Sequence, residues 1–285
     1  MFSQNRGKRY LKLFLPVDSM LRFFRTIRKK LIDEDNVRRY LLYAIGEILL
    51  VVFGILIALQ VNNWNQNRID SDAATNAQVR MLDDLYNELA VMEATILYFS
   101  TVKNYASKAI PVFESGELPD GQSSDSFLIN LYQASQINEV SQPKSTYQEL
   151  LASGKIELIE DDALRASIIG YYTYDWSNSI VFRVQDPYRE NIRKEIPSLI
   201  QSQIRDECGD RYNRIGNGLQ VVLQEECNLS FDRMLSDKTA SVILKNSSLR
   251  SDLRYRIGNL DAQRLLVSNF RGNLEKIIAD LEAEI

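Results

Sequence analysis

The sequence predicts an all-α protein in which one transmembrane helix near the N-terminus precedes an antiparallel bundle of long helices. Three observations favour this fold class. Gly and Pro, which interrupt helices, number only 12 and 6 among 285 residues. Residues 41–59 form one apolar run, and apolar residues recur at intervals of three and four through most of the following chain. Such a repeat is typical of helices with one buried face.

The charges are divided unevenly along the chain. Residues 1–39 hold eleven Lys and Arg against four acidic residues, a net charge of +7, whereas the whole chain carries −4. Glu47 is the only charged residue from Tyr40 to Trp64, so residues 65–285 carry −10. A basic head, an apolar segment and an acidic body are typical of an oriented membrane protein. We therefore predict a basic head over 1–39, a transmembrane helix over 40–64 and a bundle domain over 65–285.

The head contains a basic amphipathic stretch over residues 20–31. Basic residues occupy one face of this stretch as a helix. The opposite face is apolar and consists of Leu21, Phe24, Ile27 and Leu31. Such a helix is suited to anionic lipid headgroups, and each Lys or Arg near the surface contributes about 1 kcal/mol. The alternative is nucleic-acid binding, but the stretch is short and has no recognisable binding fold. We expect the lipid bilayer, and no nucleic acid, as its partner.

The apolar run from Leu41 to Leu59 is long enough to cross a bilayer. Its 19 residues rise roughly 28 Å as a helix, against about 30 Å of hydrocarbon. Tyr40 and Tyr43 at one end and Trp64 at the other match the aromatic belts at membrane interfaces. The alternative is a buried core helix, but such helices rarely run so far without polar residues.

The same run predicts the location and orientation of the protein. A cleaved signal peptide has an apolar region of about 7–15 residues and a small-residue cleavage site. Here some forty residues precede the run and no convincing cleavage site follows it, so an uncleaved signal anchor fits better. Because Lys and Arg stay inside, the N-terminus is cytoplasmic. In a bacterium, this is a single-pass inner-membrane protein whose C-terminal domain is periplasmic.

One face of the predicted transmembrane helix carries small residues and a carboxylate. Its members recur at 3-4-3-4 spacing: Ala44, Glu47, Val51, Gly54 and Ala58. Gly54 and Ala58 form a small-x-x-x-small pair, which lets two helices approach closely. An unpaired carboxylate at the depth of Glu47 costs about 2–3 kcal/mol. A helix–helix interface relieves that cost; the alternatives are snorkelling and an ion or proton pathway.

The outer domain reads as helical throughout. One helix of about forty residues ends before Gly116, either separate from the transmembrane helix or continuous with it. A shorter helix follows over about 126–135. Ser145 and Gln148 form a capping box for the next, which Gly154 closes. Asp161 or Asp162 caps another helix, which Pro187 and Pro197 kink or divide.

The last helix runs from about Ser248 to Glu284. Its apolar stripe is typical of bundle core, with an intermolecular coiled coil as the alternative: Leu253, Ile257, Leu260, Val267, Leu274, Ile278 and Leu281. The only candidate strand in the chain is the segment 219–223. We therefore expect an antiparallel helical bundle.

Residues 20–64 resemble a family of single-span membrane proteins, common in Bacteroidota, that has no assigned activity. The family begins with F-F-R-x-I-R-K-K and continues into Y-L-x-Y-A-I-G-E-I-x-L-V-x-x-G-I-L-I-A-L-Q-x-N-x-W, which this chain matches at 23–30 and 40–64. Weaker similarity covers residues 145–154, 161–165 and 171–172. The resemblance implies membrane anchoring and a helical exterior domain. The resemblance does not include the first 19 residues. Met20, as well as Met1, is therefore a candidate start, and residues 1–19 are an extension if Met20 is the true one.

The two cysteines, Cys208 and Cys227, lie in a segment rich in Gly and Asn that predicts a loop. In an oxidising periplasm a disulfide between them is worth about 3 kcal/mol. Two unpaired thiols are the alternative, but the disulfide is favoured because both cysteines lie in the same irregular segment.

Several catalytic classes are excluded by composition. The chain has no His, which removes Ser-His-Asp and Cys-His catalysis and every His-containing metal site. No phosphate-binding, dinucleotide-binding, nucleophile-elbow or calcium-loop motif occurs. We expect no cofactor, no metal and no enzymatic activity. Two functions remain: an interaction or structural protein that binds itself or other envelope proteins, and a ligand-sensing module that needs a separate signalling partner.

Overall fold

The structure is a computed structural model that describes residue 26, residues 37–215 and residues 218–284. Within these residues it is helical apart from one short hairpin, which confirms the predicted all-α class. Apart from residue 26, the amphipathic stretch predicted over 20–31 lies outside the described residues, as do both candidate starts, Met1 and Met20.

The helices follow one another along the chain, and the hairpin lies between the seventh and the eighth. They are α1 (Val37–Ser115), α2 (Ser124–Ala134), α3 (Ser145–Ala152), α4 (Asp162–Thr173), α5 (Ile180–Arg183), α6 (Pro187–Glu195), α7 (Ser198–Cys208), α8 (Arg233–Leu244) and α9 (Ser247–Glu284). Strands β1 (Arg211–Ile215) and β2 (Gly218–Val222) pair antiparallel, with Tyr212 opposite Val221. Short 3-10 turns form at Lys155–Leu158 and Trp176–Asn178.

The chain divides into two compact units, Met1–Ile69 and Asp70–Ile285. In the first unit, no described side chain from residue 41 to residue 69 is buried. Large apolar side chains are exposed there, with Leu50 68% and Phe53 60% exposed. This part of α1 is long and apolar enough to span a membrane.

Helix α1 is continuous from the apolar run to Ser115. The helix predicted to end before Gly116 is therefore continuous with the predicted transmembrane helix and not separate from it. No Gly or Pro occurs between residues 60 and 110, and Pro111 lies in the last two turns of the helix, so no helix-breaking residue separates the apolar run from the rest of α1.

In the second unit, α1 and α9 run antiparallel. Residue numbers rise along one helix as they fall along the other in the side-chain hydrogen bonds that join them. These pairs are Tyr86 with Glu282, Lys103 with Asp261, and Glu114 with Arg254. Such pairs lie on the surface and contribute little to stability. The apolar faces beneath them hold the helices together.

The core consists of two apolar clusters. One packs residues 98–113 of α1 against α2, α6, α7, β2, α8 and the first half of α9. The other packs residues 77–92 of α1 against α3, α4, Trp176 and the second half of α9. Val140 and Phe182 touch both clusters and mark their junction.

Side-chain caps and prolines set most helix starts. Asp161 accepts hydrogen bonds from the amides of Ala163 and Leu164 and caps α4, which decides between the two predicted caps. Pro187 begins α6 and Pro197 precedes α7, so the prolines divide the helix, as a residue without an amide donor does.

Two local predictions are wrong. Ser145 does not cap α3, because it is already the first helical residue and Lys144 stands before it. Asp84 of α1 instead accepts from the amide of Thr146 and the hydroxyl of Ser145. The segment after Cys208 is a hairpin and not a loop, because its two strands hydrogen-bond each other from Arg211 to Val222.

Candidate functional site

The carbonyls that follow α2 are held by arginines from two later helices. The last carbonyls of a helix have no intrahelical partner and favour cations. Arg256 of α9 donates to the carbonyls of Ala134 and Gln136. Arg189 of α6 donates to the carbonyl of Ser135 at 2.6 Å.

Arg256 also forms a buried ion pair. Its Nη1 lies 2.8 Å from Oδ2 of Asp186, and the two side chains are only 3% and 14% exposed. The other carboxylate oxygen of Asp186 accepts from the amide of Tyr188 and caps α6. The pair therefore fixes the start of α6 against the middle of α9.

A cavity of about 650 Å³ opens beside this ion pair. One wall is the coil after α2, and another is the segment from Asp175 to Arg189. Its apolar lining comes from Phe99, Ile137, Val140 and Phe182. Because Val140 and Phe182 touch both core clusters, the cavity lies where the clusters meet. Its volume is within the range of small-molecule sites, about 300–1,000 Å³.

The charged groups of the cavity are only partly paired. Asp186 is paired with Arg256, and Asp175 accepts from Lys144 at 3.1 Å. Arg183 and Arg189 make no salt bridge with any carboxylate among the described residues. Burial lowers the pKa of Arg189, because its charged form loses solvent. The cavity therefore has two arginines that form no salt bridge with a described carboxylate, although the charge of Asp210 offsets part of the effect of burial at Arg189.

A second polar site lies inside the core, at Glu88 of α1. Glu88 is 1% exposed, and its carboxylate accepts from Tyr171 at 2.6 Å, Tyr172 at 3.3 Å and Trp176 at 3.4 Å. Burial, the largest effect, raises the pKa of Glu88 to about 7, although these hydrogen bonds lower it. Gln142 also lowers the pKa, as the weakest of the four groups.

Aromatic rings close the Glu88 site. Tyr147 stacks on Tyr172 with ring centroids 4.5 Å apart, and Tyr171 meets Tyr172 edge to face at 5.0 Å. A carboxyl group with a pKa near 7 is suited to proton transfer, but this one is sealed from solvent. The arrangement fits a structural or pH-responsive role better than a catalytic one.

The residues predicted for the membrane helix interface all lie in α1. A helix turns about 100° per residue, which places Ala44, Glu47, Val51, Gly54 and Ala58 within about 80° of each other. A Cβ added at Gly54 meets nothing within 4 Å, so this face has room for a second helix. Of the predicted interfacial residues, Tyr40 and Tyr43 lie in the first turns of α1, and Trp64 is 68% exposed.

Cys208 and Cys227 form a disulfide in the structure, with Cα atoms 5.8 Å apart. It ties the end of α7 to the coil after β2. Cys208 belongs to the first core cluster and Cys227 packs against it.

Sequence reasoning missed Glu88, Arg256 and Gln263, although the sequence carries a signal for each. All three occupy positions of an apolar stripe, between Leu85 and Met92 on α1 and between Leu253 and Val267 on α9. A polar residue at a core position needs a partner. Among the described residues, no group of three or more Cys, Asp and Glu side chains is placed to hold a metal ion.

Comparison of the chain with protein-family models, with curated proteins and with solved structures finds no match.

Proposed function

We propose that this protein is a single-pass, non-enzymatic interaction or structural protein of the bacterial inner membrane. The observation that carries the proposal is the exposed apolar stretch of α1, in which no described side chain from residue 41 to residue 69 is buried. Water does not accommodate a continuous apolar surface of this length, whereas lipid does.

The charge distribution supports an orientation with the basic head in the cytoplasm and the acidic domain in the periplasm. Eleven Lys and Arg precede the apolar run, and basic flanks stay on the cytoplasmic side. A disulfide between Cys208 and Cys227 fits an oxidising compartment.

The partner we propose is a second copy of this chain or another envelope protein, bound through the transmembrane helix and the bundle. The face with Gly54 and Ala58 supports a helix partner because it is small and open. Glu47 lies on the same face, and a neighbouring helix shields a carboxylate from lipid.

Extraction from membranes tests the anchor. The full chain should stay in the membrane pellet after washing at alkaline pH. Leu49→Arg combined with Leu56→Arg should release it, since each Arg at the centre of a span costs about 2.5–3.5 kcal/mol. Leu199→Arg places the same residue at an exposed position of the outer domain, 60% open to solvent, and should change nothing. Release of the unaltered chain would contradict the anchor.

The second candidate function is a periplasmic ligand-sensing module. The cavity of about 650 Å³ at the junction of the two core clusters favours it. Such a sensor works with a separate signalling partner. Affinity purification in mild detergent separates the two functions: a sensor should retain a signalling protein, and a structural protein should retain envelope proteins or itself.

A further inference from the structure

We propose that the cavity beside Arg256 binds a small organic carboxylate with an apolar side group. The proposal supplies the ligand class for the second candidate function and does not depend on the membrane anchor. It rests on the charges, the polar wall and the apolar wall of the cavity.

Three arginines and three acids line the cavity, but two of the arginines form no salt bridge with a described carboxylate. Arg256 is fully engaged, with Asp186 and two carbonyls as acceptors. Arg189 uses one of its five N–H groups, for the carbonyl of Ser135. Arg183, at the end of α5, has no side-chain hydrogen bond to a described residue and stands exposed at the rim.

A half-buried guanidinium without a directly bonded carboxylate is costly, because desolvation disfavours its charge. That cost is visible at Arg189, whose pKa is lowered by burial, although Tyr132, Tyr98 and Asp210 offset part of the shift. A bound carboxylate offsets it, since Arg presents paired N–H groups that match the two carboxylate oxygens. Arg189 and Arg183 are therefore the residues we assign to the anion.

The polar wall is also incomplete. Gln263 of α9 lines the cavity and is 9% exposed. Its Nε2 donates to the carbonyl of Val181, but its Oε1 has no hydrogen-bond partner among the described residues. A buried acceptor without a donor costs free energy. This oxygen needs an N–H or O–H donor, so it bears on a polar group of the ligand other than the carboxylate.

The apolar wall selects the rest of the ligand. Phe99 and Phe182 face each other with ring centroids 6.0 Å apart, and both line the cavity. A ring or short chain on the carboxylate would bury its surface against them, at about 25 cal/mol per Å². Glu139 at the rim disfavours a ligand with a second negative charge there.

Calorimetric titration of the full chain in detergent tests the proposal, with phenylacetate as the probe and methyl phenylacetate as its neutral match, since neither carries a hydrogen-bond donor. We expect phenylacetate to bind about 10- to 100-fold more tightly, which is the range for a hydrogen bond to a charged group. Arg189→Gln should remove this preference for the anion, and Arg183→Gln should reduce it. Arg254→Gln is the control, because Arg254 pairs with Glu114 on the surface away from the cavity.

Three results would overturn the proposal: equal affinity for the two probes, unchanged phenylacetate affinity in both cavity variants, or no binding at about 10 mM, where even a Kd of about 1 mM would be detected. Arg183 is exposed, so its substitution leaves the fold intact even if Arg189→Gln unfolds the domain. Failure to bind leaves the membrane anchor untouched, because extraction measures the anchor separately.

Discussion

The phenolic oxygen of Tyr171 lies 2.6 Å from Oε1 of Glu88, in a part of the core that excludes solvent. This hydrogen bond joins α4 to α1 through a group that changes charge near neutral pH. Glu88 has a pKa of about 7 in the folded protein and an ordinary value of 4.5. The stability of the outer domain is therefore linked to pH at this residue.

We predict that Glu88 makes the folded domain less stable as pH rises from about 4.5 to about 7. In this window the folded state keeps the proton and the unfolded state has lost it, so the free energy of unfolding falls with pH. The total loss is roughly 3 kcal/mol, from 2.5 units at 1.36 kcal/mol each. Urea unfolding at pH 5 and pH 8 measures it.

Glu88→Gln is the matched variant, because its amide oxygen still accepts from Tyr171 but does not titrate. The difference in stability between the variant and the unaltered chain should grow from pH 5 to pH 8, in favour of the variant. A difference that is constant with pH would show that Glu88 keeps an ordinary pKa.

The buried pair of Arg256 and Asp186 predicts a large effect of truncation. Arg256→Ala should lower the free energy of unfolding by about 3–5 kcal/mol, because Asp186 then loses its counter-charge in the core. Arg254→Ala is the control, two residues earlier on the same helix. Its pair with Glu114 is about half exposed on both sides and should contribute about 0–1 kcal/mol. Equal losses for the two variants would contradict a specific role for the buried pair.

The disulfide predicts protection of both thiols. Cys208 and Cys227 are 19 positions apart, and closing a loop of that length stabilises a fold by about 3 kcal/mol. Protein denatured without reductant should show no thiol that reacts with maleimide, whereas reductant should expose two. The Cys208→Ala, Cys227→Ala double variant should unfold at a lower urea concentration. Labelling of either cysteine without reductant would show that the bridge is absent.

The open face of the first unit predicts where two transmembrane helices meet. Gly54→Leu adds bulk at that face, so it should weaken crosslinking between chains in membranes while insertion is retained. Glu47→Gln removes only a charge and should have a milder effect.

Gly46→Leu is the control, since Gly46 lies about 80° around the helix from Gly54 and about 120° from the middle of the face. An added Cβ there also meets nothing within 4 Å. If Gly54→Leu crosslinks as well as Gly46→Leu, this face is not the interface and any association resides in the bundle.

The helices could be predicted because their signals are local. The apolar repeats, the scarcity of Gly and Pro, and caps such as Asp161 each act within a few residues. The predicted stripe of α9 is confirmed, because all of its residues except the partly buried Ile257 are buried: Leu253, Leu260, Val267, Leu274, Ile278 and Leu281.

The cavity could not be predicted because its parts come from distant segments. Phe99, Arg189 and Gln263 are brought together only when α1, α6 and α9 pack. The capping box predicted for α3 was wrong for the same reason, since the group that accepts hydrogen bonds at the start of α3 is Asp84, 61 positions earlier in the chain. Of the hairpin, β2 corresponds to the candidate strand predicted at 219–223, whereas β1 was missed because it is short and polar, as at Asn213, a pattern that resembles a loop.

The central claim is that the chain crosses a membrane once, with its acidic domain on the outer side. The most direct measurement is the activity of a reporter enzyme that works only in the periplasm, fused in turn to each end of the full chain in a bacterium. The reporter should be active after Ile285 and silent before Met1. A reporter that is active at the N-terminus and silent after Ile285 would contradict the orientation, and activity or silence at both ends would contradict a single crossing.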